Sequence, residues 1–367
     1  MRKKKRLYNT SGDTYKKSGK AVDKLKYRKF QKALKTKFKS VQDEYIENTL
    51  DCALKEKPKK FWSYKQDQIG IPPLNVNSKL MSDSTSKAEV LSNNFQQIFT
   101  KEDLSFIPNK GCSDIPAMDS VLFNREGIIN LLKDLDSKKA NGPDKLPTTL
   151  LKITASEIAE VVTFLFTKSC ESGQLPNDWR NAHVVPIFKI GGKHDTCNYR
   201  PVSLTAVLCK IMEHIIYKNI MHHLDDNNIV FTNQHGFWKN HSRETQLILA
   251  VEDLAMNLDH GGQMDMIILD FSKAFDKVPH QHLISKLQSY GIKGSTLAWI
   301  KSWLTSRSQS VIIDGVCSKS VVVTSGVPQG TVLGPSMFLL FINDIPDDLV
   351  CTLRLFANDA LLHQNHS

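Results

Sequence analysis

Apolar residues recur every three or four positions in several long stretches of this chain, with polar residues between them. This spacing predicts helices that are apolar on one face. It is clearest over 87–99, 128–135, 155–171, 206–224 and 242–258, and shorter helices are predicted near 282–290, 295–306 and 335–345. Gly173, just past the third of these stretches, is typical of a residue that ends a helix.

Shorter apolar stretches without helical spacing predict strands. One covers 183–190, and two more, 309–314 and 319–324, flank Gly315 as a hairpin. Residues 352–363 have two apolar arms on either side of a polar Asn358-Asp359 pair, which predicts a second hairpin with that pair at its tip. Because helices and strands do not alternate regularly, the pattern predicts an α+β fold.

The chain is organised around residues 266–276, MIILDFSKAFD. Four consecutive apolar residues run into Asp270, which predicts a strand buried on both faces. A carboxylate at the end of such a strand is rigidly held, as a metal ligand must be. The alternative is an ordinary core strand whose last residue is solvated or caps a helix. Asp276 is interpreted as a cap of the following turn, without a catalytic role.

The charge of the chain is concentrated at its start. The 367 residues carry a net charge of +10, and residues 1–60 hold 20 Lys/Arg against 7 Asp/Glu. This basic arm suits the phosphates of nucleic acids or an anionic membrane surface. The alternatives are a solvated charged helix and a nuclear-import signal in Arg2–Arg6.

Length and composition favour an intracellular globular protein of two or three domains. The content of 41% hydrophobic and 23% charged residues is that of a folded protein. No apolar stretch approaches the roughly 18 residues that span a bilayer, and the first residues lack the apolar core of a signal peptide. Seven cysteines without a C-x-x-C pair predict reduced thiols and no zinc site.

Asp270 at a strand end and Asp359 at a hairpin tip form a candidate metal site. If the two strands are neighbours, their carboxylates can hold divalent cations of the kind that support phosphoryl transfer. Magnesium is the expected ion, because it binds through a few carboxylates together with substrate phosphates.

Three segments resemble, in order and spacing, the palm motifs of reverse transcriptases. They are MIILDFSKAFDKVPH (266–280), SGVPQGTVLGPSMFLLFINDI (325–345) and LRLFANDALL (353–362). The variant is similar to that of jockey-type non-LTR retrotransposons, and the resemblance continues upstream through NGPDKLP, NYRPVSLTAVLCKIMEHII and QHGFWKNHSRETQL. Several ordered motifs are more specific than any one of them.

The resemblance implies the α+β right-hand fold of a polymerase and the activity of an RNA-directed DNA polymerase. The fingers are expected at about 123–260 and the palm at about 261–367, after a basic, partly flexible N-terminal segment, 1–122. The implied partners are an RNA template, a DNA primer and dNTPs, with the basic arm on nucleic-acid phosphates and no membrane. The oligomeric state stays open. Nuclear localisation is expected from the resemblance and from Arg2–Arg6.

The resemblance also implies roles for individual residues. Asp270 and the Phe271 carbonyl would bind metal in a site for two Mg²⁺ ions, or Mn²⁺ in their place. Phe275 would exclude the 2′-hydroxyl of a ribonucleotide, and the backbone of Lys273 and Ala274 would line the nucleotide pocket.

Residues outside the central stretch would complete this pocket. Gln329 and Gly330 would face the nucleotide and the template base. Lys189 and Arg200 would bind the triphosphate, as a point charge and a planar donor group respectively. The alternative for these two is surface charge beside a glycine-rich loop. Three further residues are expected to shape the site rather than take part in chemistry: Gln234, Gly236 and Phe237.

Two departures from the family bear on activity. Asn358 stands where the family has the first of two aspartates, and an amide brings an oxygen but no charge. With Asp359 as the remaining carboxylate, we expect activity to be severely reduced or absent. The chain also ends just after the hairpin, without the later palm strands and thumb, which predicts a fragment or a decayed copy of an element.

Three hypotheses of function follow. The first is a retrotransposon RNA-directed DNA polymerase that is impaired by Asn358. The second is a catalytically inactive nucleic-acid-binding remnant of such an element. The third, an unrelated metal-dependent phosphoryl-transfer enzyme that shares only the two carboxylates, is disfavoured by the order of the motifs.

Overall fold

The computed structural model describes residues 70–76, 79–107 and 115–366, together with the single residue Thr36. The chain divides into two units, Met1–Ile71 and Pro72–Ser367. The basic arm predicted over 1–60 lies outside the described residues, apart from Thr36. The helix Ser84–Gln96, which lies before the boundary predicted at residue 122, packs against the strand Ser308–Ile313 within the second unit.

The described part of the second unit contains nine α-helices and ten strands. The helices are α1 (Ser84–Gln96), α2 (Arg125–Lys133), α3 (Thr148–Ile153), α4 (Ala155–Ser172), α5 (Val207–Asp226), α6 (Arg243–Asp259), α7 (His280–Ser289), α8 (Gly294–Leu304) and α9 (Leu333–Ile342). The strands are β1 (Leu74–Val76), β2 (Lys79–Met81), β3 (Asn181–Phe188), β4 (Tyr199–Leu204), β5 (Gln263–Asp270), β6 (Ser308–Ile313), β7 (Val316–Cys317), β8 (Val321–Val322), β9 (Thr352–Phe356) and β10 (Asp359–His366).

The predicted helices are confirmed, with ends set by local chemistry. Helix α4 ends at Gly173, which adopts a left-handed conformation (φ 63°) that suits a residue without a side chain. Helix α6 begins with a capping box, in which Ser242 and Thr245 each accept a hydrogen bond from the other's backbone amide. None of the described helices is both long and apolar enough to span a lipid bilayer.

The strands form a five-stranded sheet, a three-stranded sheet and the small β1–β2 ladder. In the larger sheet β3 pairs antiparallel with β4 and parallel with β6, and β6 also pairs with β7 and β8. The smaller sheet has the order β5-β10-β9, and the β9–β10 hairpin is the one predicted around Asn358 and Asp359. The prediction of an α+β fold is confirmed.

The core between these elements is built mainly from helices. Helix α9 is buried along most of its length. The indole rings of Trp299 and Trp303 on α8 are fully buried. Both indole nitrogens donate hydrogen bonds, to the Ser169 hydroxyl and to the Glu213 carboxylate, as buried polar groups require. Glu213 also accepts hydrogen bonds from the amides of Val332 and Leu333, and so holds the start of α9.

The prediction that β5 is buried on both faces is wrong. The strand lies at the edge of its sheet, where it pairs with β10. Its apolar side chains are exposed, up to 76% for Ile268. An apolar run indicates a strand suited to burial, but it does not show whether another element covers that strand. Within the described residues, β5 pairs with β10 alone.

An exposed apolar edge strand is a template for pairing with another chain. We therefore expect the protein to self-associate as its concentration rises, and Ile268→Lys to weaken this association several-fold. Sedimentation velocity over a concentration series measures the effect. Val350→Lys is the matched control, because Val350 is 97% exposed but lies outside the strands. An equal effect of the two substitutions would contradict the role of the edge.

Candidate active site

Asp270 and Asp359 face each other where two strands meet. Strand β5 ends at Asp270, and Asp359 begins β10 as its direct partner in the antiparallel register. Residues directly opposite in such a ladder project to the same face of the sheet. The Phe271 amide donates to the carbonyl of Asn358 at 3.0 Å, which joins the end of β5 to the hairpin tip. The register therefore places the two residues opposite each other at the end of β5.

The Asn358 side chain occupies the space between these carboxylates. Its Nδ2 donates to Asp270 Oδ1 at 2.8 Å and lies 3.5 Å from Asp359 Oδ1. A carboxylate is an acceptor only, so the amide must turn its NH₂ group toward Asp270. Within the described parts of the chain, no group of three or more His, Cys, Asp or Glu side chains is placed to hold a metal ion.

A segment before α6 supports the hairpin tip. Gln234 Oε1 accepts hydrogen bonds from the amides of Gly236 (2.7 Å) and Ala357 (3.0 Å). A Cβ at Gly236 would lie 2.2 Å from the Ala357 nitrogen, so any larger residue would push the tip away. The expectation that Gln234 and Gly236 shape the site fits this geometry.

Phe275 is held between two other aromatic rings. It stacks on Phe338 of α9 with ring centroids 4.5 Å apart and an angle of 20° between the planes. Phe237 meets it edge-to-face at 5.9 Å. Contacts of this kind fix the plane of a ring as well as burying it. Phe275 therefore has a defined position in the wall of the site.

Gln329 and Gly330 lie against strand β4. The Gln329 carbonyl accepts a hydrogen bond from the Ser203 amide at 2.7 Å. Gly330 has φ 91°, and a Cβ there would lie 3.0 Å from the Ser203 carbonyl oxygen. Glycine is thus required both by the backbone conformation and by the close approach.

These residues surround one cleft of ≈ 540 Å³. All of the predicted site residues except Asp359 line it: Lys189, Arg200, Asp270, Phe271, Lys273, Ala274, Phe275, Gln329, Gly330 and Asn358. Phe237, Asp276 and the loop residues Cys197 and Asn198 also line it. Residues from distant parts of the chain therefore form a single site.

The cleft contains both cationic and acidic side chains. Lys189, Arg200 and Lys273 supply three cationic side chains. The Lys273 ammonium donates to the Cys197 carbonyl at 3.2 Å and so connects the turn after β5 to the loop between β3 and β4. A cleft that holds both cationic side chains and carboxylates suits a phosphate ester bound to a divalent cation.

The structure also shows a site residue that the sequence reading missed. Asp276 does not cap the following turn; its two carboxylate oxygens accept hydrogen bonds from Gln329 Nε2 at 3.2 and 3.3 Å. Removal from water raises the pKa of this carboxyl to about 6, against the opposing effects of Lys273, Gln329 and Arg200. The signal in the sequence that could have identified Asp276 as a residue of the site is its position directly after Phe275, in AFD.

Comparison with known proteins defines the class. Residues 192–367 match the profile of the family described as reverse transcriptase (RNA-dependent DNA polymerase). This part of the chain is a reverse transcriptase domain.

Its relatives include polymerases of non-LTR retrotransposons from Drosophila melanogaster. The chain is 30% identical over 273 residues to the RNA-directed DNA polymerase from mobile element jockey. It is 28% identical over 257 residues to the probable RNA-directed DNA polymerase from transposon BS, and 28% identical over 230 residues to that from transposon X-element. These alignments cover 72%, 66% and 61% of this chain but only 30%, 28% and 25% of the relatives.

Proposed function

We propose that the chain is the polymerase part of a non-LTR retrotransposon protein and transfers dNTPs to a DNA primer on an RNA template. One observation carries this proposal. All but Asp359 of the residues that the family motifs assign to metal, sugar, base and triphosphate line one cleft. A chance resemblance in sequence would not be expected to bring segments 189–200, 270–276, 329–330 and 358 to one place.

In this proposal the two sheets belong to different subdomains. The sheet β5-β10-β9, with α6 packed against β5 and β9, is the palm. Strands β3 and β4, with the helices before them, are the fingers, and β6, which lies in the range predicted as palm, joins their sheet by pairing with β3. The β3–β4 loop then lies over the cleft from the fingers side, where Lys189 and Arg200 bind the triphosphate of the incoming nucleotide.

The residues of the chain divide the work of nucleotide binding. The cationic side chains neutralise the phosphates, and the arginine can donate two parallel hydrogen bonds. The fixed ring of Phe275 occupies the space that a 2′-hydroxyl would need. Gln329 and Gly330 face the base pair, with glycine allowing the backbone to approach closely.

The donor set does not fit a complete two-ion site. Asp270, the Phe271 carbonyl and Asp359 offer two negative charges, whereas two divalent cations bring four positive ones. The amide of Asn358 uses one oxygen of Asp270 as its acceptor, where a cation would bind. In two-metal enzymes the ions activate the attacking oxygen and stabilise the leaving one. We therefore expect slow incorporation at best with Mg²⁺ or Mn²⁺.

The hydrogen bond from Asn358 to Asp270 favours a second candidate function. The Asn358 amide gives the Asp270 carboxylate a hydrogen-bond donor in the absence of a metal ion. Such a site would be stable but would not catalyse nucleotide transfer. The protein would then bind RNA and nucleotides without polymerising them. Its contacts with RNA would be made to the backbone and the shape of the duplex, and residues 1–60 would add a salt-dependent affinity.

Nucleotide binding tests the assignment of the cleft. We expect Lys189→Ala and Arg200→Ala each to weaken binding of a fluorescent dNTP about tenfold, since each removes a charge-assisted hydrogen bond to phosphate. Fluorescence anisotropy with Mg²⁺ present measures the affinity. Lys168→Ala is the control, because Lys168 is exposed on α4 and pairs with Glu171.

Primer extension then separates the two candidates. Binding of dNTP with measurable extension on a primed RNA template supports the polymerase, and binding without extension supports the inert remnant. If Lys189→Ala and Arg200→Ala bind as tightly as the parent protein, the cleft is not the nucleotide site.

A further inference from the structure

Asp276 is an acidic residue that lines the cleft. The assignments of metal-binding and nucleotide-binding residues do not include it. It lies in the 3₁₀ turn Ala274–Lys277, directly after Phe275. Both of its carboxylate oxygens accept from the same donor, Nε2 of Gln329, which is 53 positions further along the chain.

The backbone of the two segments is joined independently of this contact. The Val327 amide donates to the Phe275 carbonyl and the Gly326 amide to the Val278 carbonyl, both at 2.8 Å. The Ser325 hydroxyl donates to the Asp276 carbonyl, also at 2.8 Å. The segment before Gln329 is therefore fixed against the turn without the Asp276 side chain. Within the described residues, the hydrogen bonds that the Asp276 carboxylate accepts come from the side chain of Gln329.

The carboxylate determines which way the Gln329 amide faces. An ionised carboxylate accepts hydrogen bonds and donates none, so it selects the NH₂ end of the amide. The Gln329 backbone is held from the other side, because its carbonyl accepts from the Ser203 amide of β4. Oε1 is then the amide atom left for a ligand in the cleft.

We infer that Asp276 is a positioning residue, which fixes the orientation of the Gln329 amide so that the cleft presents an acceptor oxygen to the incoming nucleotide. This inference rests on the proposed function, because it assigns a consequence to nucleotide binding. Asp276 itself need not touch the nucleotide.

The protonation state of Asp276 gives the inference a second consequence. Burial raises the pKa of this carboxyl to about 6, while Lys273 and Arg200 favour its ionised form. Below that pH the neutral carboxyl gains a donor and can bond to Oε1 of Gln329 instead. The Gln329 side-chain amide then rotates so that its NH₂ group and its oxygen exchange places. Nucleotide binding should therefore weaken as the pH falls through about 6.

Steady-state kinetics test the inference in the Asn358→Asp variant, for which we expect measurable incorporation. We expect Asp276→Asn to raise KM for dNTP about tenfold at about pH 7.5, the effect of one hydrogen bond, with a much smaller change in kcat. The asparagine can offer either of its ends to Gln329, so the amide loses its fixed orientation. The rise in KM below about pH 6 expected with Asp276 should disappear. Asp119→Asn, at an exposed position outside the cleft, should behave like the parent protein.

A double-mutant cycle with Gln329→Ala shows whether Asp276 acts through Gln329. We expect Asp276→Asn to have no further effect on KM once Gln329 is alanine. Additive effects of the two substitutions, or an unchanged KM for Asp276→Asn alone, would overturn the inference.

A spectroscopic measurement keeps the test independent of polymerase activity. The side-chain amide resonance of Gln329 should shift with a midpoint near pH 6 in the parent protein and not in Asp276→Asn. If the Gln329 side-chain resonance of the parent protein does not shift with pH, the inference about Asp276 is overturned. Absent nucleotide binding together with a titrating Gln329 resonance would count against the proposed function alone.

Discussion

Replacing Asn358 with aspartate should raise the rate of dNTP incorporation about 100-fold or more, the scale on which preorganised electrostatic groups act. The substitution removes the NH₂ group that donates to Asp270 at 2.8 Å and puts a negative charge in its place. Three carboxylates would then surround the point where cations bind. Single-turnover primer extension on a primed RNA template with saturating Mg²⁺ measures the change.

Two controls separate charge from shape. Asn358→Ala removes the hydrogen bond to Asp270 without adding charge, and we expect no gain in rate from it. Asp270→Asn in the Asn358→Asp background should remove the gain, because the restored carboxylate would again lack its partner. If Asn358→Asp and the parent protein extend primers at the same rate, charge at the hairpin tip does not limit the reaction.

The same substitution has an effect that needs no catalysis. Without metal, the carboxylate introduced by Asn358→Asp would be a like charge within hydrogen-bonding distance of Asp270, so the variant should have a lower Tm in the presence of a chelator. A divalent cation that binds only the folded state should restore it. We expect Mn²⁺ to raise the Tm of the variant by more than that of the parent protein, as measured by thermal unfolding over a metal titration.

The family motifs named ten of the residues that line the cleft, and the roles of these residues stay predictions. The hairpin pattern around Asn358 and the apolar run before Asp270 each predicted a strand end. Antiparallel pairing of β5 with β10 brings these ends together. What the pattern did not contain was the hydrogen bond from the Asn358 amide, which depends on the distance between the paired strands rather than on either strand alone.

The exposure of β5 and the hydrogen bonds of Asp276 were not predictable from local pattern, for a common reason. The exposure of Ile268 depends on which strands lie beside β5. The four-residue apolar run does not predict those neighbouring strands. Asp276 looks like a capping residue in its own turn. Its partner Gln329 comes from a loop that approaches only because Gly326 lets the chain pass within contact of the Asp276 carbonyl. Both properties are set by contacts between distant segments.

A loss of sugar selectivity is the second large effect expected from this site. In the Asn358→Asp background, Phe275→Val should reduce the preference for dNTPs over rNTPs about 100-fold, within the range by which a pocket discriminates small groups. The ring cannot swing aside, because it stacks on Phe338 at 4.5 Å and meets Phe237 at 5.9 Å. Valine opens the space beneath the sugar and admits the 2′-hydroxyl.

The ratio of kcat/KM for a dNTP and the matching rNTP measures this preference, because it reports discrimination in the transition state. The change should come from faster use of the rNTP, with a smaller loss for the dNTP. Phe164→Val makes the same substitution on α4, at a side chain that is 65% exposed and lies outside the cleft. That control should keep the parent ratio. If Phe275→Val also keeps it, the ring supports the palm without selecting the sugar, and selection against ribose must come from the backbone of the same turn.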